Sequence, residues 1–498
     1  MSYQRNPSER NSFSIVIVAL FLIVFGFSSF AGFEEAQKLF LRLSPDGSFV
    51  PQTVLILKTS LLSFGLVGIC LILFLLWRRN FLKDALTKLE NIEEANFLFL
   101  FLGLAFVLRI LWSTLIPTQL YADWKWYDDV AYHMSQVWRY EENGLPTAYW
   151  PIGYPLFLAI VYRTFGHHYF VVEFINVLLS LCICAFTYLV AKRLTSPVSA
   201  RLTLVVLALF PSQIFFTNVL ASEIIFTVLL LLVVYLLLKQ EVRPAICLPV
   251  TVGVLLGLLI LIRAVALFLP LLVVFFYLRS KRRSGLILRD AVLTILVAFL
   301  TLFPWMLRNK KTLGVFTVAT SGGINLYIGN SPISSGSWVW QKENPFKDLS
   351  APNEVGNDRL GYKLATKFIM DDPLGFVRRG IKKEIYLFVS DFAALAKELD
   401  LAAQSKRVDK FVIFSIIGQV YYLMILISSA GGLFLFLKGR WERKPGFYLL
   451  WGILIYWMGI HFIFFGIDRF HFPLVPILSI FASLFLVSQI KPSLEPCN

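Results

Sequence analysis

The sequence predicts an all-α polytopic membrane protein, with about 12 transmembrane helices and an extracytoplasmic loop region. Three observations predict it. Of the 498 residues, 57% are hydrophobic and only 15% charged, whereas soluble domains carry about a quarter charged residues. The apolar runs are about 17–25 residues long, enough to cross lipid as helices; barrel strands would be shorter and would alternate. Lysine and arginine gather in cuffs between those runs, as the positive-inside rule requires.

Spans fall at 14–33, 53–77, 96–117, 168–191, 198–217, 220–238, 245–262, 264–279, 286–306, 411–437, 446–465 and 472–490, each bound good to about 2–4 residues. The first, Ser14 to Phe33, is too long for a signal peptide, lacks a small-residue cleavage site and is read as a retained span. With a cytoplasmic amino terminus, the inside loops collect Arg78 and Arg79, Lys192 and Arg193, Arg279 to Arg283, and Lys438 to Lys444. The apolar run Ala245–Leu278 is broken only by Arg263. Two helices turning at Arg263 keep both later basic clusters inside and put Arg263 at the outer surface. One long helix would put both clusters outside. An even number of spans leaves the carboxy terminus cytoplasmic as well.

This topology leaves three stretches outside: 117–167, 308–410 and 466–472. Only the second is long enough for a small lobe. There is no internal repeat. The net charge of +15 does not signal nucleic acid, because it resides in the helix-end cuffs. The five cysteines have neither metal-ligand nor disulfide-framework spacing and read as packing residues. His133, His167, His168 and His461 show no ligand spacing either, and read as structural or interfacial.

Chemistry concentrates on the outside. The first loop reads Tyr121-Ala-Asp123-Trp-Lys-Trp-Tyr127-Asp128-Asp129, and carboxylates among aromatics beside a membrane suit proton transfer. An acidic helix start would use the same residues. In Tyr149-Trp150-Pro-Ile-Gly-Tyr154-Pro, the prolines and glycine end any helix. The aromatics make either an interfacial belt or a wall for a sugar or lipid chain. Glu223, at the outer end of a span, is costly at that depth and marks a functional site or a helix cap. Arg263 either snorkels or binds an anion. Arg308 follows Pro304-Trp305, and Ser321-Gly322-Gly323-Ile-Asn325-Leu-Tyr-Ile-Gly-Asn330 follows in turn. Small residues there would let backbone N–H groups approach an anion, and an arginine can grip phosphate in a fork. Arg469 precedes the last span. One topology, drawn from basic loops alone, thus puts Asp123, Asp128, Glu223, Arg263, Arg308 and Arg469 at one face.

The acidic loop after an early span resembles the first loop of the GT-C superfamily of membrane glycosyltransferases. The runs Trp150–Ala159, Pro304-Trp305-x-x-Arg308-Asn309, Gly322–Asn330 and Arg469-x-x-x-Pro473 resemble its bacterial members, relatives of protein mannosyltransferase and aminoarabinose transferase. The resemblance covers Phe97 to Ile490. It implies a GT-C-type fold, with 1–95 a two-span addition and linker, 96–307 the catalytic transmembrane module, 308–410 an extracytoplasmic segment and 411–498 the terminal helices. It implies a multi-pass protein of the bacterial inner membrane. Its activity would be transfer of a sugar from a polyprenyl-phosphate donor to a protein, lipid or glycan acceptor. Asp123 matches the family's first-loop acid and Glu223 its second. The acids here are spaced as Asp123 then Asp128-Asp129 where the family has an adjacent pair, so Asp123 and Asp128 both stand as the base. Arg263, Arg308 and Arg469 would hold the leaving phosphate, while Tyr127, Trp150, Tyr154, Asn325 and Asn330 would line the cleft. Some members bind a divalent metal, for which no ligand set is evident here. The rival reading is a lipid-linked sugar transporter or flippase. Transporters place binding groups near the midplane on repeat-related broken helices.

Overall fold

The computed structural model describes residues 79–116, 118, 120, 122–242, 244–280, 282–334, 336–337, 345–346, 353–391, 393–395, 409–439 and 444–490. The spans expected at 14–33 and 53–77 lie outside the described residues. Those that are described form helices, with one two-stranded hairpin. Among the described residues, seven helices are long and apolar enough to cross a membrane, or eight if a bent pair counts as one span. The chain is a multi-pass membrane protein.

In chain order, α1 (Arg79–Asn91) leads to the span α2 (Glu94–Leu115), then to α3 (Asp123–Val137). The hairpin strands β1 (Glu141–Glu142) and β2 (Leu145–Pro146) follow, joined by Asn143-Gly144, both at positive φ. That is the pair a tight two-residue hairpin turn requires. Then come α4 (Gly153–Phe165) and the span α5 (Tyr169–Leu194). The pair α6 (Pro197–Ala208) and α7 (Pro211–Phe215) bends by 51°. Pro211 explains the break, since it has no N–H and disfavours helix at the residue before it. Arg109 of α2, fully buried, donates to the carbonyls of Leu207 and Ala208 at 3.2 and 3.0 Å and so caps α6.

The span α8 (Glu223–Val242) precedes α9 (Cys247–Ile262) and α10 (Leu269–Leu278). Between these two, Arg263 is extended and Ala264–Ala266 forms a 3-10 turn, so the apolar run does break at Arg263. At 16 residues, α9 spans about 24 Å, short of a full hydrocarbon core. The span α11 (Ser284–Leu313) then runs straight through Pro304. The span expected to end near residue 306 continues to Leu313, so Arg308 lies within the helix.

The lobe is α12 (Gly322–Asn330), α13 (Glu354–Asp371) and α14 (Pro373–Phe388). Asp372 caps α14 by accepting from the Gly375 amide at 2.8 Å, which accounts for the turn expected at Asp371-Asp372-Pro373. The spans α15 (Asp409–Leu437) and α16 (Pro445–Ile463), the 3-10 segment Asp468–Leu474 and α17 (Val475–Ile490) complete the chain. Of the apolar stretch through α17, 89% is buried, against 22% for α2. The former is therefore the central rod and the latter a lipid-facing stave.

Candidate active site

Four charged side chains, from four segments far apart in sequence, form an alternating chain. Arg469 donates to Asp123, and its Nε stands 3.8 Å from Glu223 Oε1. Arg263 donates to the same Glu223 oxygen at 2.6 Å and to Ser222 Oγ at 3.3 Å. Local structure explains each placement. Asp123 and Glu223 are the first residues of α3 and α8, where a helix favours negative charge. Arg263 occupies the α9–α10 break, and the 3-10 segment presents Arg469. The Phe470 ring lies 4.9 Å from the Arg263 guanidinium and 5.4 Å from that of Arg469, within cation–π range of both.

The two acids differ in access. The Glu223 side chain is 3% exposed and that of Asp123 26%. Glu223 is a sealed counter-ion between two arginines, while Asp123 can meet a second molecule.

Asp128 lies elsewhere on the same helix, about 140° round its axis from Asp123. It is buried and accepts from Tyr162 Oη at 2.6 Å and Tyr169 Oη at 2.9 Å, with His167 Nε2 at 2.8 Å. The contacts come from α4, from the short link after it and from the first residue of α5, so Asp128 pins α3 to that turn.

Arg308 also takes a different set of partners. Its guanidinium donates to the carbonyls of Thr147 and Tyr140, both at 2.7 Å, and to Asn309 Oδ1 at 3.1 Å. It holds the hairpin loop against α11, where Glu354 reinforces it by accepting from Thr147 Oγ1 and the Ala148 amide.

The aromatics do form a wall. Tyr127 meets Tyr154 edge-on at 5.1 Å and lies 6.3 Å from Trp150. Burial, and then the neighbouring Asp123, push the Tyr127 hydroxyl above its ordinary range. The Tyr154 hydroxyl is buried without a hydrogen-bond partner. Gly153 explains the glycine between them: a Cβ there would stand 2.6 Å from the Leu261 carbonyl, so only glycine lets α4 rest on the end of α9 beside Arg263.

The glycine-rich run serves packing and is not an open anion cradle. The Gly323 amide is already taken by Asp358 Oδ1 at 2.6 Å. A Cβ on Gly323 would stand 1.9 Å from the Asp358 carbonyl, and one on Gly361 would stand 2.4 Å from Gly323. The glycines bring α12 and α13 into backbone contact. Asn330 is buried and joins Lys383, whose Nζ donates to Asn330 Oδ1 at 2.8 Å and to the carbonyls of Phe462 and Ile463. Asn325 is half-buried on α12. Sequence reasoning missed Lys383, because nothing local marks a lysine that will cap the end of a distant span. It also missed Glu354, which lies in a polar stretch without pattern.

Among the described residues, no group of three His, Cys, Asp or Glu could hold a metal ion. The two clustered carboxylates already face guanidinium groups. The residues present do not fit a divalent cation.

Residues 150–307 match the family model of dolichyl-phosphate-mannose-protein mannosyltransferase. The chain resembles a GT-C membrane glycosyltransferase. The matched stretch holds Trp150, Tyr154, Glu223 and Arg263, while Asp123 and Arg469 reach the cluster from outside it. No curated protein matches the chain. Among solved structures, the archaeal oligosaccharyltransferase AglB from Archaeoglobus fulgidus, in complex with an inhibitory peptide and a dolichol-phosphate, is 13% identical at a TM-score of 0.45. The match covers 78% of this chain and 50% of that one. ArnT from Cupriavidus metallidurans, bound to undecaprenyl phosphate, is 14% identical at a TM-score of 0.40, with 80% and 78% covered. The present chain spans about half the length of the archaeal protein.

Proposed function

We propose that the protein transfers a sugar from a polyprenyl-phosphate donor to a hydroxyl or amine acceptor at the extracytoplasmic face of the membrane. The observation that carries this reading is the Asp123–Arg469–Glu223–Arg263 chain. An accessible carboxylate there pairs with one guanidinium group, a second is held across Glu223, and an aromatic wall lies beside them.

In this reaction Asp123 accepts the acceptor's proton while the acceptor heteroatom bonds to the anomeric carbon. The bond from that carbon to the phosphate oxygen breaks, and its electron pair leaves on the lipid phosphate. Arg469 and Arg263 stabilise that charge, so no acid is needed on the leaving group. Glu223 holds both arginines in register. Tyr127, Trp150 and Tyr154 line the donor cleft. Asp128 and Arg308 support the site from behind, and the base role falls to Asp123.

The decisive test compares three variants in transfer and in donor binding. Asp123→Asn keeps shape and removes the base, so transfer falls about a hundredfold or more while the lipid-linked sugar still binds. Glu223→Gln weakens donor binding as well. If Asp128→Asn abolishes transfer and Asp123→Asn does not, the base is Asp128. Carriage of lipid across vesicles, with no sugar transfer from any polyprenyl-phosphate donor, would make the protein a transporter.

A further inference from the structure

The 3-10 segment that presents Arg469 carries a second polar side chain two residues on. His471 is fully buried and engages the lobe side of the fold. Its Nδ1 lies 2.7 Å from the carbonyl oxygen of Leu387 in the last turn of α14. A carbonyl can only accept, so Nδ1 carries a proton and donates it. Its Nε2 lies 3.2 Å from Asp391 Oδ1, just past α14. The Tyr422 ring of α15 stacks on the imidazole at 4.4 Å and an interplanar angle of 17°.

Both anchors of His471 are themselves fixed. Gln419 of α15 accepts from the Asp391 amide at 2.9 Å and donates to the Val389 carbonyl at 2.8 Å. Lys383 ties α14 to the end of α16. The segment also accepts at Asp468 Oδ2 from Ser390 Oγ, just past α14, at 3.4 Å. On its other side Trp457 Nε1 donates to the Phe470 carbonyl at 2.7 Å, and Phe472 packs on Phe216 at 4.6 Å. His471 is thus the buried bridge from the arginine-bearing segment to the lobe side, with two polar contacts against the single longer one of Asp468.

We propose that His471 is a positioning residue for Arg469: by clamping the segment to Leu387 and Asp391, it sets the guanidinium between Asp123 and Glu223. This rests on reading Arg469 as the leaving phosphate's partner. A seven-residue 3-10 segment has weak internal hydrogen-bond geometry, so external anchors must decide where its side chains point. A positioned Arg469 also shields Asp123, which gives a readout that does not depend on phosphate.

The test uses the full chain in nanodiscs and the variant His471→Phe, which keeps a ring against Tyr422 and loses both polar contacts. Affinity for undecaprenyl phosphate should fall about tenfold. Modification of Asp123 by a water-soluble carbodiimide, read by mass spectrometry, should rise toward the level in Arg469→Gln. His471→Gln, which can still present an amide N–H, should recover part of both. Should His471→Phe not fold, His471→Gln and Asp391→Asn carry the same two readouts with intermediate effects. Unchanged phosphate affinity together with unchanged Asp123 protection in the folded variants overturns the proposal. If Arg469→Gln itself binds undecaprenyl phosphate normally, the phosphate reading fails. His471 is then judged by Asp123 protection alone.

Discussion

Asp123 and Asp128 stand five residues apart on one helix and have opposite fates. The first meets a single arginine at a half-open surface, and the second is enclosed by two tyrosine hydroxyls and a histidine. Asp128→Asn should therefore cost about 1–3 kcal/mol of stability and lower the thermal midpoint in detergent, with transfer per folded molecule nearly unchanged. Asp358 permits a pH prediction. Burial raises its carboxyl to about 6 from 3.8, so the folded state holds a proton that the unfolded chain has released. Its stabilising contribution is full below about pH 4 and is lost as pH rises through about 6. Asp358→Asn keeps an acceptor for the Gly323 amide. It should raise the midpoint at pH 8, by an effect on the order of 1 kcal/mol after solvent screening, and change little at pH 4. Equal midpoint shifts at both pH values would count against a buried, protonated Asp358. Of the acids and arginines read from sequence, Asp123, Glu223, Arg263 and Arg469 converge. Asp128 and Arg308 looked identical to them in one dimension, since only the folded chain shows which partners satisfy a charge.

Elements show the same ambiguity in glycine. A run such as Gly322-Gly323 lets a backbone approach something closely, and sequence does not say whether that is an anion or another helix. Here it is α13. Gly323→Ala would drive a methyl into the Asp358 carbonyl, 1.9 Å away, and should cost about 1–3 kcal/mol by overpacking. Limited proteolysis of the lobe should report the loosening, whereas Gly356→Ala, which meets open space, should not. The break at Arg263 was legible, because a lone cation in an apolar run has few places to go. The persistence of α11 through Pro304 was not, since proline usually ends a helix. Lys383 was invisible for another reason. Its burial, which pushes the ammonium down to about 7, depends on carbonyls contributed by α16.

At the scale of the whole molecule, the alternating hydrophobic and basic stretches announced a helical membrane protein, and all but the smallest described elements agree. The sidedness drawn from those basic loops predicts that cysteines introduced at Asp129 and Lys367 react with an impermeant maleimide in intact cells. One at Arg283 should react only after permeabilisation. Labelling at Arg283 from outside would move the candidate site to the cytoplasm and remove the basis for an extracytoplasmic acceptor. Sequence could not show how the membrane helices divide their labour. The central rod α17, the broken pair α6–α7 and the short α9 all read as ordinary apolar runs.

Arg109 has a consequence for how such a chain is made. Its guanidinium is satisfied by Ser180 of α5 and by the carbonyls at the end of α6, and both arrive after α2 in synthesis. Alone in lipid, α2 carries an arginine that costs about 2.5–3.5 kcal/mol at a helix centre. It should linger at the insertion machinery until its partners emerge. Arg109→Leu should then speed the integration of α2 during translation, yet yield a product in which the α6–α7 elbow is uncapped and misassembled. Co-translational crosslinking of α2 to the insertion channel, timed against chain length, would reveal that wait.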